Sequence, residues 1–268
     1  KAYPNAKWHQ YEVVNNDHEM AGTRMAFGES VQPIYRFAEA RAVLSLDGCF
    51  MATNPHTVAY ARDFAKTRTP GQGMSRLWAV ESSPTLTGAF ADHRVALSPA
   101  EVVQVAAAVA AKLGVMVANV DLPGGVTSKW IEALAEDLSR GGLVYVGAHQ
   151  SAEVHAIAHA INKKIGAPVD YYPLAERAPV MKLDSLAELA QALSGGKVRA
   201  LLICGGNPVY SAPGDLKFGD FLPAVPTSIY LGDSANETSK LCQWVLPEAS
   251  FLETWGDLPT LDEIGRAS

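Results

Sequence analysis

The chain has 268 residues, of which 48% are hydrophobic and 19% charged, and its formal net charge is -6. This length predicts one or two domains. The acidic balance excludes the basic face that nucleic-acid binding needs. The three cysteines, Cys49, Cys204 and Cys242, are far apart and form no CxxC pair, so the sequence encodes neither an iron–sulfur cluster nor a structural zinc site.

The most apolar stretch, residues 102–120, is interrupted by Gln104, Lys112 and Gly114. A membrane span needs about 20 predominantly apolar residues, so we interpret this stretch as a packed helix followed by a strand. The chain starts at Lys1 without a signal segment. We expect it to be a piece of a longer polypeptide, in which case missing targeting signals carry no weight.

Helices and strands alternate along the first half of the chain. The Ser98-Pro99-Ala100-Glu101 sequence has the form of a capping box that starts a helix, and Gly114 is a typical helix stop. The predicted elements are, in order, a short helix near 21–27, a strand over 42–46, a helix over 56–67, a strand over 76–80, a helix from 98 to about 113 and a strand over 115–120.

The second half repeats this alternation. Its predicted elements are helices over 129–138, 152–165 and 183–193 and strands over 143–146, 201–204, 227–231 and 241–246. Strands that alternate with helices of about ten residues or more predict βαβ units and parallel sheets. Because residues 119–127 look like a linker, we predict two α/β lobes, residues 1–120 with an N-terminal segment and residues 121–268.

The most informative loop follows the apolar strand Leu201–Cys204 and reads Gly205-Gly206-Asn207-Pro208. Glycine reaches positive φ without steric cost, and Asn tolerates it better than most residues. In open α/β sheets, ligands bind just past the carboxyl ends of the strands. The loop is therefore either a ligand-binding loop or a plain tight turn, and spacing alone favours the turn.

Other polar clusters have a structural and a functional interpretation. His155 and His159 have the spacing of a metal pair on one helix face, but the Glu of HExxH is absent and no third ligand is evident, which favours packed histidines. Hydroxyls in Ser82–Thr87 either hold an anion or cap the next turn, and capping is favoured. No GxSxG, GxxxxGK[ST] or GxGxxG motif occurs, which disfavours elbow hydrolases, P-loop NTPases and classical NAD binding.

The carboxylates near the end of the chain have the same ambiguity. Glu237, Glu248 and Glu253 surround a short apolar run. They could form a general acid and base pair, but nothing in the sequence buries them together, so a solvated rim is favoured.

Four short motifs in order resemble the molybdopterin oxidoreductase superfamily across its two nucleotide-fold-like central domains. Leu201–Pro208 matches that family's strand ending in Gly-x-Asn-Pro. The matches to its other motifs are Glu237-Thr238, Val245-Leu246-Pro247 and Glu253, and then Thr85, Ala91-Asp92 and Pro99 within Glu81–Glu101. The resemblance covers roughly residues 1–255 and implies two Rossmann-like lobes with mainly parallel sheets.

The departures from the family pattern concern the cofactor. The first Gly-x-Asn-Pro loop is replaced by Asp47-Gly48-Cys49-Phe50, and Ser83 stands in place of an Arg. Where the family's metal ligand should precede Phe27-Gly28, Asp17 is the one plausible oxygen ligand. A dinucleotide pterin held at one end loses the advantage of two linked contacts. We therefore expect a lobe pair that kept its fold and lost its cofactor, with Gly205, Gly206, Asn207 and Pro208 as a vestigial site.

This pattern is similar to the cofactor-free, molybdopterin-like part of the iron–sulfur subunit of bacterial alternative complex III. The similarity is carried by Leu44–Asp47, Val80–Ala89 and Gly205–Tyr210. It implies a structural role without catalytic residues, within a complex that oxidises quinol and reduces a cytochrome c or similar acceptor. The implied partners are a ferredoxin-like half with the iron–sulfur clusters, cytochrome c subunits with haem c and membrane quinol-binding subunits. The implied location is the periplasmic face of the cytoplasmic membrane.

Two other hypotheses stay open from the sequence. In the first, the protein is an active molybdenum or tungsten bis-pterin oxidoreductase, with Asn207 and its loop on the cofactor and Asp17 on the metal. In the second, it is a free-standing α/β binding module without respiratory partners.

Overall fold

The computed structural model describes residues 4–71, 73–174, 181–250, 252–255, 258–259 and 266–267. The chain divides into two compact units. Residues 18–174 form the four-stranded unit, and residues 1–17 with 175–268 form the three-stranded unit. Each is named after its main parallel sheet, and each is described below on its own.

The α-helices in chain order are α1 (Asp17–Phe27), α2 (Thr57–Lys66), α3 (Leu86–Ala89), α4 (Val102–Lys112), α5 (Ser128–Ser139), α6 (Ala152–Ile165), α7 (Lys182–Ser194), α8 (Pro208–Ser211), α9 (Phe218–Phe221) and α10 (Glu237–Leu241). The strands are β1 (Val31–Tyr35), β2 (Ala42–Leu46), β3 (Arg76–Glu81), β4 (His93–Ala96), β5 (Gly142–Val146), β6 (Val169–Pro173), β7 (Ala200–Cys204), β8 (Thr227–Gly232), β9 (Trp244–Pro247), β10 (Leu258–Pro259) and β11 (Arg266–Ala267).

The four-stranded unit is built on a parallel sheet with the order β4-β3-β2-β5. Every residue of the central strand β2 is buried, because a parallel sheet in an α/β fold is covered on both faces. On one face, Leu44 and Leu46 pack in a core shared with α4, α5 and α6. On the other, Val43 packs with an aromatic cluster that includes Phe37 and Phe50. The predicted α/β class with parallel sheets is therefore confirmed.

Two strands of this unit form a small antiparallel sheet, β1 with β6. The sequence analysis did not predict either strand. Pro33 inside β1, Pro168 before β6 and Pro173 at the end of β6 argue against strands from local pattern alone. The alternating burial of β1 becomes visible only when it pairs with β6, from Val31 opposite Pro173 to Tyr35 opposite Val169.

The three-stranded unit contains the parallel sheet β7-β8-β9. One face of this sheet packs against α7 and the short helices after β7 through Leu193, Phe218 and Leu222, which meet Leu201 and Ile203 of β7. A separate short antiparallel pair joins β10 and β11. No helix in the described part of the chain is long and apolar enough to cross a membrane.

The predicted division of the chain at residues 120 and 121 is wrong. β5 was assigned to the second lobe, but it hydrogen-bonds along β2, from Ala42 opposite Gly142 to Leu46 opposite Val146. Helices α5 and α6 also pack in the core above β2. The pairing of β5 with β2 and this shared core therefore place residues 121–174 in the four-stranded unit.

Three local predictions also need correction. Residues 115–120 form no strand: Val115 and Val117 pack on the core while Met116 is exposed, and no neighbouring strand pairs with them in the described chain. Helix α4 begins at Val102 after a turn in which Ser98 Oγ donates to Glu101 Oε2. The last predicted strand starts at Trp244, since residues up to Leu241 complete α10.

Candidate functional site

The loop after β7 is the candidate site in the three-stranded unit. Gly205 and Gly206 both have φ of 66°, the left-handed region that other residues rarely adopt. The Gly205 N–H donates to the Leu231 carbonyl at the end of β8, at 2.7 Å. The chain then turns at Asn207 into α8, which begins at Pro208. The four predicted residues thus lie together at the carboxyl end of the sheet.

The side chain of Asn207 forms hydrogen bonds with the first residues of α10. Its Nδ2 donates to Glu237 Oε2 at 2.6 Å, and its Oδ1 accepts from Thr238 Oγ1 at 2.8 Å and from the Thr238 N–H at 3.3 Å. The hydrogen bond from Asn207 lowers the pKa of Glu237 from its usual value. The Gly-x-Asn-Pro and Glu-Thr motifs, 30 residues apart in sequence, are therefore one hydrogen-bonded unit.

The same loop is held from a second side. The Gly206 carbonyl accepts from Tyr230 Oη at 2.9 Å and from Asn236 Nδ2 at 3.3 Å. Asn236 also caps α10, since its Oδ1 accepts from the Ser239 N–H at 2.9 Å. Capping of this type stabilises a helix by about 1 kcal/mol. Hydrogen bonds from Tyr230 and Asn236 therefore hold the loop in place.

In the four-stranded unit, Asp47 follows β2 and its carboxylate is buried beside the ends of two neighbouring strands. Oδ1 accepts from the N–H and the hydroxyl of Ser82, which follows β3, at 2.8 and 2.9 Å. Oδ2 accepts from Gln150 Nε2 at 2.8 Å and lies 2.9 Å from His149 Nε2, both after β5. Asp47 has a φ of 51°, a region that Asp tolerates better than most residues.

The Asp47 carboxylate is held as an anion. Burial would raise its pKa, but the hydrogen bonds from Ser82, His149 and Gln150 outweigh burial, so the pKa of Asp47 is below its ordinary value. A carboxylate with several donors stays ionised. The strand order reverses between β2 and β5, and such a reversal is where α/β sheets bind ligands. This crevice therefore contains a fixed negative charge from the protein itself.

The hydroxyls that follow β3 act within the chain. Thr85 Oγ1 accepts from the Gly88 N–H at 3.1 Å and caps α3, as the favoured interpretation of Ser82–Thr87 predicted. Thr85 Oγ1 also donates to the buried Glu81 at 2.7 Å, and Arg94 Nε lies 2.5 Å from the same carboxylate. The N–H and the hydroxyl of Ser82 both donate to Asp47.

The other predicted candidates do not form a metal centre among the described residues. Asp17 is buried at the first position of α1. His155 and His159 are buried on α6, and burial lowers the pKa of His155 to about 3 and of His159 to about 4, which keeps both neutral at pH 7. No group of three or more His, Cys, Asp or Glu side chains there could hold a metal. The packed interpretation of the histidines is confirmed.

The carboxylates near the end of the chain lie in solvent. Glu237, Glu248 and Glu253 are all exposed, so the solvated-rim interpretation is confirmed for them.

A phosphate-bearing cofactor that spans both units would need a binding loop at each parallel sheet, and the residues present do not supply such a pair of loops. At the four-stranded sheet, the place of a Gly-x-Asn-Pro loop is taken by Asp47, followed by the buried residues Cys49 and Phe50. A buried carboxylate repels a phosphate, with about 4 kcal/mol between two unit charges about 4 Å apart at an effective dielectric constant of about 20. At the three-stranded sheet, the Asn207 side chain already bonds to α10.

Two α/β units with parallel sheets and a Gly-Gly-Asn-Pro loop at a strand end define a fold of the molybdopterin oxidoreductase type. Among solved structures, acetylene hydratase from Pelobacter acetylenicus superposes with a TM-score of 0.63 and 13% sequence identity, over 92% of this chain and 46% of that one. At this identity the similarity shows the fold alone. No protein-family model matches the chain.

One curated relative carries the comparison further. The menaquinone reductase molybdopterin-binding-like subunit of Nitratidesulfovibrio vulgaris (strain Hildenborough) is 29% identical over 157 residues, 51% of this chain and 23% of that protein. The chain thus spans less than half the length of both relatives. Together the comparisons support a molybdopterin-oxidoreductase-like relationship and a module related to quinone oxidoreductases.

The Asp47 network is the part of the site that the sequence analysis missed. Asp47 was noted as a departure from the family loop, but Ser82, His149 and Gln150 were not connected with it. A usable signal was present, because all four polar residues follow predicted strands within four positions. Carboxyl ends of adjacent parallel strands meet at one edge of the sheet.

Proposed function

We propose that this chain is the cofactor-free, molybdopterin-like module of the iron–sulfur subunit of a membrane-bound quinol-oxidising complex of the alternative complex III type. Its role is structural: its α/β units support neighbouring parts of the complex. The electron carriers are elsewhere, as iron–sulfur clusters in a ferredoxin-like half and haem c in cytochrome subunits. Other partners are the membrane subunits that bind quinol, and the assembly lies on the periplasmic face of the membrane.

The observation that carries the cofactor-free part of this proposal is the Asp47 carboxylate in the crevice beside β2. Four hydrogen-bonding groups of the protein surround it, so it is a stable internal anion. A pterin dinucleotide brings a pyrophosphate, and placing that group beside Asp47 would cost several kcal/mol. The similarity to a menaquinone reductase subunit supports the assignment to quinone chemistry.

A second candidate is an active molybdenum or tungsten bis-pterin subunit. The intact Gly205–Pro208 loop at the end of β7 favours it, since its two left-handed glycines keep backbone close to any ligand there. In this candidate, Asp17 is the metal ligand.

Metal and pterin analysis of the assembled complex separates the two candidates. The complex would be purified through an affinity tag on this chain, and molybdenum and tungsten would be measured by mass spectrometry together with the fluorescence of oxidised pterin. We expect iron and haem c but neither molybdenum nor tungsten at a stoichiometric level, and no pterin. A molybdopterin enzyme prepared in parallel is the control. One molybdenum or tungsten per chain would favour the second candidate.

The membrane-complex assignment has its own test. After gentle solubilisation of membranes, we expect this chain to migrate with haem-bearing subunits and quinol–cytochrome c oxidoreductase activity. Migration as a lone soluble protein would contradict this assignment and would leave the metal result to be judged separately.

A further inference from the structure

Three arginines lie together at the amino end of the four-stranded sheet, opposite the end that carries Asp47. Arg76 is the first residue of β3, Arg41 directly precedes β2 and Arg140 comes two positions before β5. The three strands are neighbours in the order β3-β2-β5. Their starts are joined by backbone hydrogen bonds, from the Arg41 N–H to the Gly141 carbonyl at 2.8 Å and from the Arg76 N–H to the Arg41 carbonyl at 3.0 Å.

The side chains of these arginines line one cleft. The cleft has a volume of about 410 Å³, and its lining includes Arg41, Met74, Arg76, Asp137 and Arg140. We call it the arginine cleft. Three guanidinium groups meet a single described carboxylate there, although the whole chain has a net charge of -6. The arginine cleft is therefore a site of positive charge in an acidic protein.

The carboxylate of Asp137 is already engaged within the protein. Both of its oxygens accept from Arg76 Nη1, at 3.0 and 2.8 Å, and Oδ2 also accepts from Trp78 Nε1 at 3.0 Å. The Asp137 side chain is 14% exposed, whereas that of Arg76 is 53% exposed. Asp137 therefore holds the Arg76 guanidinium at the cleft, and the Nε and Nη2 donors of Arg76 have no acceptor in the described chain.

The other two arginines also retain donors for a ligand. The Arg41 side chain has no ion pair or hydrogen bond among the described residues, and its aliphatic stem lies beside Gly141, where a Cβ atom would be 3.7 Å from Arg41 Cδ. Arg140 Nη2 donates to Glu136 one turn earlier in sequence. Both side chains of this pair are more than half in solvent, at 66% and 62%, and an exposed pair of this kind is weak. A ligand can therefore compete for Arg140.

Converging guanidinium groups favour an oxyanion. The planar fork of arginine donates in parallel to two oxygens of a carboxyl or phosphoryl group. The volume of the arginine cleft lies within the range of small-molecule sites, about 300–1,000 Å³, so a single inorganic anion would fill only part of it. A compound with two separated oxyanion groups uses more of the available donors.

We propose that the arginine cleft binds a small organic compound with at least two oxyanion groups, carboxyl or phosphoryl, through Arg41, Arg76 and Arg140. Met74, which is 45% exposed, supplies an apolar wall for the carbon part of the ligand. Every residue of the cleft lies in the four-stranded unit. The proposal stands whether or not the chain belongs to a quinol-oxidising complex.

Calorimetric titration tests this binding. The protein would be purified through a tag on this chain, with any subunits that remain attached, in a low-salt buffer without phosphate. Citrate and pyrophosphate would be the two probes, in separate titrations. We expect one site per chain for at least one probe, with an affinity that falls as NaCl rises from about 20 to about 300 mM, since salt screens exposed charges. Binding of citrate alone would identify a carboxylate ligand, and binding of pyrophosphate alone a phosphoryl ligand. Failure of both probes to bind would overturn the proposal.

A matched pair of substitutions locates the site. Arg41→Gln removes an exposed guanidinium that has no partner in the described chain, so we expect the variant to fold and to bind about tenfold or more weakly. Arg199→Gln is the control, because Arg199 is exposed and directly precedes β7 as Arg41 precedes β2, but it lies in the other unit. It should keep the wild-type affinity. Circular dichroism would show that both variants fold. Equal affinities of the wild type and Arg41→Gln would overturn the proposal.

Modification by phenylglyoxal gives an independent readout, because this reagent reacts with accessible arginines and peptide mapping measures the rate at each one. A probe at about ten times its dissociation constant should slow the modification of Arg41, Arg76 and Arg140 together by about tenfold, and should leave Arg199 unchanged. Unchanged rates at the three cleft arginines would contradict the proposal. An Arg41 that does not react even without a probe would show a cleft covered by a partner subunit, which would also contradict a small-molecule site.

Discussion

Thr238 Oγ1 donates a 2.8 Å hydrogen bond to Oδ1 of Asn207 and thereby ties the loop after β7 to the first turn of α10. The same hydroxyl oxygen accepts from the Val209 N–H at 3.1 Å. Thr238 is buried, so these bonds are shielded from water and their loss is costly. Asn207, which would contact a ligand in a binding loop, here stabilises the protein.

Replacement of Asn207 by Ala tests this structural role. Asn207→Ala removes three hydrogen bonds and leaves the buried Thr238 hydroxyl without its acceptor, so we expect the free energy of unfolding of the three-stranded unit to fall by about 1–3 kcal/mol. Hydrogen exchange of the α10 amides would locate the effect. Asn119→Ala at an exposed position is the control and should change stability by less than about 0.5 kcal/mol. Equal losses would contradict the structural role.

Replacement of Asp47 by Asn tests the buried carboxylate. An amide group would present N–H donors to Ser82 or to Gln150, both of which already donate, so we expect Asp47→Asn to destabilise the four-stranded unit by about 2–3 kcal/mol at pH 7. Urea unfolding would measure this loss. The exposed Asp121→Asn is the matched control and should be nearly neutral.

The pH dependence of Asp47 has a defined sign. Its pKa in the folded protein is below the ordinary value, so its contribution to stability is complete above the unfolded pKa of about 3.9 and is lost as pH falls through the folded pKa. The difference in stability between the wild type and Asp47→Asn should therefore shrink below about pH 4. A difference that grows on acidification would contradict the assignment.

The buried histidines produce a second acid sensitivity at higher pH. Burial lowers the pKa of His159 to about 4 and that of His155 to about 3, against about 6.5 for an unfolded histidine. The unfolded chain then binds protons first, so stability is complete above about pH 6.5 and falls toward pH 4. For His159 alone this loss is about 3 kcal/mol.

Urea unfolding between pH 7 and pH 4 would measure that slope. His159→Phe, which removes the titrating group, should make the slope of stability against pH shallower, whatever its effect at pH 7. Identical slopes for the wild type and His159→Phe would rule out this explanation of the acid sensitivity.

The contact between α1 and α6 depends on the absence of a side chain at Gly22. A Cβ atom at Gly22 would lie 2.3 Å from His155 Cβ and 2.9 Å from the Ala152 carbonyl oxygen, distances at which one helix must move. We expect Gly22→Ala to destabilise the four-stranded unit by about 1–3 kcal/mol or more. Thermal unfolding measures this. Gly124→Ala, where no atom lies within 4 Å, should be tolerated, and equal tolerance at Gly22 would show that the helices are not packed this closely.

The alternation of strands and helices could be predicted because it is local. The apolar runs 42–46, 76–80 and 143–146 are bounded by glycine or by polar turns, and each became a strand of the parallel sheet. The division of the chain could not be predicted in the same way. It depends on β5 pairing with β2, about 100 residues earlier, and such long-range pairing leaves no local pattern.

The candidate site shows the same limit. The Gly205–Pro208 loop was recognised because a glycine pair after an apolar strand is a local signal. The role of Asn207 was not, because its partners Glu237 and Thr238 are 30 and 31 residues away. The Asp47 network spans 35 to 103 residues. These polar groups meet only when the strands are placed side by side.

Under the proposed cofactor-free function, the carboxylate beside β2 also separates this protein from cofactor-binding proteins with the same fold. Restoring an Asn in the loop would leave an ionised group whose donors come from two other strand ends, so a single substitution would not recreate an anion site. Asp47 and the groups that neutralise it would have to change together, with a less stable protein at each intermediate step. Under the proposed cofactor-free function, no single substitution would therefore give this crevice a site for a phosphate-bearing ligand.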